Sequence, residues 1–378
     1  MLLLVAGFVA GPATGLLNPD ELFGDLLFPG VSLAVGLLLF DGGLQLKVNR
    51  IQAWRGIVSR LVTLGVLVTW VIASVAVTIL TDLEGRTAWL AGAVLVVSGP
   101  TVVIPILRRT NPNPPSSEIL EWEGILIDPI GAVLGVAMLD VVLHGDTAIE
   151  AASGIAATAA AGIGCGIGGA ALAIGGLKVP GLPGLLRAPI ALAAAVAAYT
   201  VANVAVPEAG LFATTVVGLI LANQKITPVD DVAAFEEGVG VLALGGLFVV
   251  LGARMSPSAV VDVLGPGLAL LVILIVIARP LTVLVSTARS GIDRQSSLFM
   301  MALAPRGIVA AAAASVFALE LEAEGRPGGE TLVSLTFVVI IGAGIVYGLG
   351  AGPVGRRLGV ITQHRSEPNQ PTGSLNQT

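Results

Sequence analysis

The chain has 378 residues, of which 55% are hydrophobic and only 12% charged, and its formal net charge is -6. A soluble domain carries about 25% charged residues, so a soluble fold of this size could not hide so much apolar surface. The acidic balance excludes a basic face for nucleic acid, and the composition predicts an all-α polytopic membrane protein.

Apolar runs long enough to cross a bilayer recur along the sequence. A crossing helix needs about 20 predominantly apolar residues, and about twelve such runs are present. The predicted spans, in chain order, are 1–17, 26–44, 56–80, 88–107, 119–143, 151–176, 189–206, 211–223, 235–255, 263–285, 297–319 and 331–350. No charged n-region or cleavage motif marks the first run, so we interpret it as a span and not as a cleaved signal.

The loops alternate in charge. Every second loop is basic, and the basic residues are Lys47, Arg50, Arg55, Arg108, Arg109, Lys178, Arg187, Lys225, Arg289 and Arg294. The positive-inside rule places these loops and the C-terminus in the cytoplasm, in a multi-pass protein of the inner membrane. We expect one transmembrane domain over residues 1–354 and a short, polar, disordered cytoplasmic tail over 355–378.

A few ionisable residues lie well inside the predicted spans. A charge near the bilayer centre costs about 2.5–3.5 kcal/mol or more, so each one needs a partner or a water-filled cavity. Asp128 and Arg306 lie near the midplane, whereas Asp41, Glu123 and Arg279 lie nearer the cytoplasmic side. Glu123 and Asp128 are five residues apart and point to helix faces about 140° apart, which predicts different roles for the two acids.

Two spans contain residues that interrupt helices at mid-depth. They are Ser98-Gly99-Pro100-Thr101 in the fourth span and Ala304-Pro305-Arg306-Gly307 in the eleventh. Each interrupted span is the third of a four-span block, which predicts inverted repeats. Paired broken helices in corresponding positions indicate a transporter's binding site, although either break alone could be a kink.

Other residue types exclude several functions. Cys165 is the single cysteine, and His144 and His364 lie in a loop and in the tail, so the sequence shows no disulfide, metal cluster or nucleophile–histidine–acid set. The Gly162–Gly166 stretch predicts close helix packing, which could also be at a dimer face.

The motifs together resemble the NhaP-type monovalent cation:proton antiporters, relatives of the sodium/proton exchangers, over nearly the whole chain. The motifs that carry the resemblance are Leu39-Phe40-Asp41-Gly42-Gly43-Leu44, Ser98-Gly99-Pro100-Thr101-Val102-Val103, Glu123-Gly124-Ile125-Leu126-Ile127-Asp128-Pro129, Ala278-Arg279-Pro280 and Pro305-Arg306-Gly307.

The resemblance implies a homodimer in which a six-helix core moves like an elevator against a rigid dimerisation bundle. It implies exchange of Na⁺ or K⁺ for H⁺ without a cofactor, with Asp128 binding cation and proton in turn. Glu123 would pair with Arg279. Arg306, with Pro100 and Pro305, would stabilise the crossing of the broken helices.

The sequence departs from the family pattern at the expected site. Ile127 stands where the family often has Asn, and Ser98-Gly99-Pro100 where it often has Thr-Asp-Pro. Ser98 and Thr101, with freed backbone carbonyls, are then the remaining oxygen donors beside Asp128, and Asp41 is a candidate second titrating group. The family usually has one more helix before the first span, so we expect this sequence to start late.

Three hypotheses follow. The first is electroneutral exchange of one Na⁺ or K⁺ for one H⁺, which suits hard oxygen ligands and one carboxylate. The second is an anion or organic-solute symporter on a similar fold, which would present an arginine or a helix N-terminus to its substrate. The third is a membrane enzyme or a non-transporting membrane protein.

Overall fold

A computed structural model describes residues 2–145, 147–255, 257–304 and 306–360. Over these residues the chain is helical and contains no strand, as predicted from its composition. The principal helices are α1 (Leu2–Phe8), α2 (Leu27–Gln45), α3 (Arg55–Leu80), α4 (Gly85–Val94), α5 (Pro100–Thr110), α6 (Ser116–Leu143), α7 (Ala148–Leu177), α8 (Arg187–Ala205), α9 (Ala209–Asn223), α10 (Asp230–Ala253), α11 (Leu264–Thr287), α12 (Arg294–Met301), α13 (Ile308–Ala323) and α14 (Gly329–Arg357).

The helices make up the predicted number of crossings. Seven of those in the described ranges are long and apolar enough to cross a membrane, and α2 and α9 are shorter apolar helices. The half-helices α4 and α5 together make one crossing, as do α12 and α13, so α1 to α14 amount to twelve. The two half-helix pairs run in opposite directions, because α4 begins beside the point where α13 has ended: a Cβ on Gly328 would lie 2.8 Å from the Leu83 side chain. This arrangement fits the predicted inverted repeats.

Several boundaries differ from the predicted ones. The α1 helix ends at Phe8 and continues as one π-helical turn, Val9–Ala13, in place of a span to residue 17. The α10 helix begins at Asp230, five residues before the predicted span. The α14 helix runs through Arg357, past the predicted start of the tail at 355, and residues 361–378 of the tail lie outside the described residues.

Local sequence explains where several helices begin and end. The Thr147 hydroxyl accepts from the backbone N–H of Glu150, whose carboxylate accepts in return from the Thr147 backbone N–H at 2.8 Å, a capping box that starts α7. Asp293 caps α12 in a similar way, accepting from Ser296 N at 2.8 Å. Asn111, in the left-handed conformation, ends α5.

The helices pack into two bundles. One contains α1, α2, α7, α8, α9 and α10, and the other contains α3, α4, α5, α6, α11, α12, α13 and α14. In the first bundle, glycines of facing helices allow close approach: a Cβ on Gly218 of α9 would lie 2.4 Å from the Phe40 carbonyl oxygen of α2. Gly162 and Gly166 of α7 pack in the same way against α9, so part of the glycine stretch is intramolecular.

The loops gather at two ends of the molecule. The end that carries the basic residues predicted to be cytoplasmic is called the basic-loop face below. The loops between the basic ones, at the opposite face, contain three arginines that are bound by other groups of the protein. Arg254 pairs with Asp20 at 2.9 Å, while Arg86 and Arg326 donate to carbonyls at the C-terminal end of α6. These three guanidinium groups are therefore bound to acceptors of the protein itself.

Candidate ion-binding site at the helix crossing

The two interrupted spans meet at their breaks. The chain leaves helical structure after Val94 and resumes it at α5, and it does so again between α12 and α13. A Cβ built on Gly307 would lie 2.4 Å from the backbone nitrogen of Gly99. Only glycine fits at position 307, because a side chain there would overlap the main chain of the other break.

Arg306 joins the two breaks. Its side chain is buried, and its Nη1 donates to the carbonyl oxygen of Val96 at 2.9 Å. Unwound backbone leaves carbonyls without helical partners, and at membrane depth these need a donor from the protein. The structure thus places Arg306 at the crossing, where it bonds the main chain of the first break.

Asp128 lies on α6 opposite the first break. On this helix Gly124, Asp128 and Gly131 share one face, at a spacing of four and three residues. A Cβ on Gly124 would contact the Val103 side chain, and one on Gly131 would contact Val97. Asp128, between them, is therefore level with residues 98–102, where the break ends and α5 begins.

The Asp128 carboxyl group has no protein partner. Its relative exposure is 0%, and neither of its oxygens makes a hydrogen bond to any part of the chain that the structure describes. Such a group is costly unless a proton or a cation neutralises it. The N-terminus of α5, where the helix dipole is positive, begins at Pro100, level with Asp128.

The other predicted oxygen donors lie along the same segment. Ser98 is buried within the first break. The backbone of Thr101 belongs to the first turn of α5, but the side chains of Thr101 and Pro100, and the whole of Pro305, lie outside the described residues. The donors whose position is established are therefore Ser98 and the backbone of the break.

Glu123 and Arg279 are in contact on another face of α6. The guanidinium binds the carboxylate with two parallel hydrogen bonds, Nη2 to Oε2 at 2.9 Å and Nη1 to Oε1. Arg279 Nε also donates to the Met300 carbonyl in the last turn of α12 at 2.8 Å. The pair is buried, with exposures of 4% for Glu123 and 5% for Arg279, and it links α6, α11 and α12.

Asp41 lies apart from the crossing. Its carboxylate accepts from Gln45 Nε2 at 2.9 Å, and it lines a cavity of about 110 Å³ between α2, α5 and α10. Arg108 and Glu237, which form a salt bridge, also line this cavity, whereas Asp128 does not. The structure therefore does not bring Asp41 to Asp128.

A second, smaller cavity approaches Asp128 from the opposite face. It measures about 40 Å³ and lies between the two bundles, with Ser32 and Glu208 as its polar lining. Ala132, one helical turn from Asp128, lines it too. Glu208 stands at the start of α9, and burial, with a smaller contribution from Glu320, raises the pKa of its carboxyl group.

Sequence reasoning missed two buried acids, Glu208 and Glu236. Glu236 is 1% exposed and both of its carboxylate oxygens lack a hydrogen-bond partner among the described residues. The predicted span began at 235, which made Glu236 a residue of the membrane edge. The spacing places Val232, Glu236 and Gly240 on one face of α10, but the sequence carries no signal that this face is the buried one.

Comparison with known proteins identifies a family and several relatives that this sequence matches. The family model described as sodium/hydrogen exchanger, transmembrane, matches residues 1–357. The K(+)/H(+) antiporter NhaP2 of Shewanella sp. strain MR-4 is 27% identical over 349 residues, covering 89% of this chain and 60% of the relative. The K(+)/H(+) antiporter NhaP of Alkalimonas amylolytica is 27% identical over 94% of this chain and 63% of the relative.

A solved structure shares the fold. The sodium proton antiporter MjNhaP1 from Methanocaldococcus jannaschii superposes with a TM-score of 0.83 at 23% identity, covering 94% of this chain and 91% of that one. The predicted fold class and the predicted family resemblance are confirmed by these matches. The chain spans about 60% of the length of the K(+)/H(+) antiporters that it matches.

Proposed function

We propose, on the premise that this chain belongs to the sodium/hydrogen exchanger family, that it exchanges a monovalent cation, Na⁺ or K⁺, for a proton across a membrane. The observation that carries the proposal is Asp128, a fully buried carboxyl group without a hydrogen-bond partner in the described chain, beside two crossing helix breaks. It is a transporter's site and not an enzyme's, because its chemistry is the neutralisation of one charge.

The buried carboxyl group explains exchange. A carboxylate in an apolar interior is stable only with a neutralising partner, and either H⁺ or a monovalent cation can supply one positive charge. Because one carboxylate accommodates one of the two at a time, binding of the cation requires release of the proton. Alternating access of the site to the two faces then couples the two fluxes.

The oxygen donors around Asp128 suit a small monovalent cation. Ser98 and the carbonyls of the break supply hard oxygen ligands, Ile127 contributes none, and a hydroxyl from Thr101 is expected from the sequence alone. The names of the relatives, K(+)/H(+) antiporters and a Na(+)/H(+) antiporter, support a monovalent cation as the substrate.

The remaining predicted residues support the site. The Glu123–Arg279 pair holds α6, α11 and α12 together, and Arg306 fixes the crossing, as Pro100 and Pro305 are expected to do by favouring the breaks. The unpartnered group at the crossing is a carboxyl group, while Arg306 Nη1 donates to the Val96 carbonyl. This disfavours the alternative of an anion or organic-solute symporter, which would present a positive group to its substrate.

The arrangement in the membrane follows the loop charges. We propose that the basic-loop face and the C-terminus are cytoplasmic, in the inner membrane. We also propose a homodimer in which the bundle of α5, α6 and α13 moves as an elevator against the bundle of α2, α7 and α9. A Cβ on Gly164 or Gly168 of α7 would meet no atom of the described residues within 4 Å, and exposed Ile163 and Ile167 beside them make this face suitable for a second copy.

The ion specificity can be measured in everted membrane vesicles from cells that lack their own antiporters. A preset pH gradient is followed by fluorescence while Na⁺, K⁺, Li⁺ or choline is added. We expect at least one alkali cation to dissipate the gradient, and choline to have no effect. A gradient that no alkali cation changes, in vesicles shown to contain the protein, would contradict the proposal.

The stoichiometry is a separate prediction. One carboxylate at the crossing carries one exchangeable charge, so each cycle moves no net charge. The exchange is then driven by the pH gradient and does not depend on the membrane potential. Proteoliposomes clamped with valinomycin and K⁺, with Na⁺ as substrate, test this. A rate that changes with imposed voltage at constant pH gradient would show that a second group, such as Asp41, also exchanges its charge.

A further inference from the structure

Glu236 is a buried acid that the exchange at Asp128 does not use. Its side chain is 1% exposed, and both carboxylate oxygens lack hydrogen-bond partners within the described ranges. It lies in the second turn of α10, near the basic-loop face. A buried carboxylate in this state requires a neutralising ligand for the same physical reason as Asp128 does.

Glu236 faces Asp41 of α2. Gly240, one turn further along α10, would place a Cβ 3.6 Å from Asp41 Oδ2, which shows that this face of α10 packs on Asp41. Glu236 lies on the same face, and its carboxyl group interacts electrostatically with that of Asp41. Asp41 is itself only partly satisfied, because Gln45 binds one of its oxygens.

The surroundings of the two acids are short of positive charge. Arg108 lines the same cavity as Asp41, and it is bound to Glu237 in a salt bridge whose side chains are 59% and 51% exposed. Asp41 and Glu237 line the cavity together with this one guanidinium, and Glu236 adds a third acid that interacts with Asp41. An additional monovalent cation would reduce the mutual repulsion of the carboxylates, and the cavity of about 110 Å³ beside Asp41 exceeds the roughly 10–15 Å³ that a cavity needs in order to hold one water molecule.

The cavity beside Asp41 also lies on the route from the basic-loop face to Asp128. Ile104 and Arg108 of α5 line it, and α5 begins at Pro100, opposite Asp128. At 1.5 Å per residue, Ile104 is about 6 Å along the helix from that start. A cation held beside Asp41 would therefore be between the basic-loop face and the crossing.

We propose that Glu236 and Asp41 form a second monovalent-cation site, in which a cation from the basic-loop face is held before it reaches Asp128. The inference rests on the proposed exchange function. The second site stays in place while Asp128 is carried between the two faces, so it concentrates the substrate cation without adding to the charge moved in each cycle.

Cation binding to the purified full-length chain tests the site without transport. Equilibrium binding of ²²Na⁺ and of ⁸⁶Rb⁺, as a substitute for K⁺, is measured in detergent for the wild type, Asp128→Asn, and Asp128→Asn combined with Glu236→Gln or with Asp41→Asn. We expect Asp128→Asn to lose about half of the bound cation, and both double variants to lose the rest.

Transport kinetics provide the second arm. Glu236→Gln should raise the KM for cation supplied at the basic-loop face roughly tenfold, which corresponds to about 1.4 kcal/mol, and should leave the maximal rate near that of the wild type. The control is Asp231→Asn, the loss of an exposed acid five residues earlier in α10, which should change neither constant.

The outcomes separate the two proposals. A wild type that binds neither ion contradicts the exchange function itself. A wild type that binds cation but loses all of it in Asp128→Asn supports that function and overturns the second site. Residual binding that persists in both double variants also overturns it, since the cation would then be held elsewhere.

Discussion

Two acids on the same helix have opposite surroundings. Glu123 is held by two hydrogen bonds from Arg279, while Asp128, five residues later, is equally buried and has no partner among the described residues. A charge that is fully paired contributes to the structure and has nothing left to exchange. A buried carboxylate without a partner destabilises the empty site, and this cost in free energy is offset only when a proton or a cation binds.

The largest predicted effect on stability comes from breaking the pair. Removing one partner of a buried ion pair costs about 3–5 kcal/mol, mainly because the other charge remains buried alone. Glu123→Gln should therefore lower the melting temperature of the detergent-purified protein well below that of the wild type. Asp128→Asn should not, since it removes a charge that had no partner.

A charge exchange sharpens this result. If the two groups stabilise each other directly, Glu123→Arg combined with Arg279→Glu should melt higher than either single variant. Equal melting temperatures for Glu123→Gln and Asp128→Asn would contradict the contrast between paired and unpaired acids.

A smaller but local effect is expected at the crossing. In Gly307→Ala the new Cβ overlaps the backbone of Gly99, and overpacking of this kind costs about 1–3 kcal/mol. We expect lower thermal stability and loss of exchange in vesicles. Gly350→Ala, at a helical glycine with open space around it, is the matched control and should melt at or slightly above the wild-type temperature. Wild-type exchange by Gly307→Ala would show that close approach of the breaks is dispensable.

The smallest effect concerns Glu208 in the cavity near the opposite face. Because burial raises the pKa of its carboxyl group in the folded state, the native protein holds this proton more tightly than the unfolded chain does. The contribution of Glu208 to stability is therefore complete below about pH 4.5, the ordinary pKa of a glutamate. It is lost as the pH rises through the higher pKa of the folded state.

Thermal melting at two pH values checks the sign. Glu208→Gln cannot ionise, so it should melt like the wild type at pH 4 and above it at pH 8. Glu324→Gln, the loss of an exposed acid at the same face, is the control and should show no such divergence. A wild type that gains stability over Glu208→Gln as the pH rises would contradict the raised pKa.

The sequence predicted the parts of the site that depend on local chemistry. Proline and glycine at 98–101 and 304–307 indicate where helices stop, and the observed helices end at Val94 and Met301 and resume at Pro100 and Ile308. The opposite signs and similar depths of Glu123 and Arg279 were enough to propose their pairing. The helical repeat alone separated the faces of Glu123 and Asp128.

What the sequence could not predict depends on packing between helices. The side of α10 that packs on α2 decides whether Glu236 is a solvated edge residue or a buried acid, and hydropathy does not report it. The bond from Arg306 to the Val96 carbonyl requires the crossing geometry, which brings residues 210 positions apart into contact. The separation of Asp41 from Asp128 has the same origin.

The most direct test of Asp128 compares two identical substitutions on one helix. Asp128→Asn removes the unpartnered acid at the crossing, and Asp140→Asn removes an acid twelve residues later whose side chain is 49% exposed. Both variants are measured for cation-driven dissipation of a pH gradient in everted vesicles, at matched amounts of protein in the membrane. We predict that Asp128→Asn abolishes exchange and that Asp140→Asn retains most of it. Exchange at the wild-type rate in Asp128→Asn would contradict the assignment of Asp128 as the carboxyl group that binds cation and proton in turn.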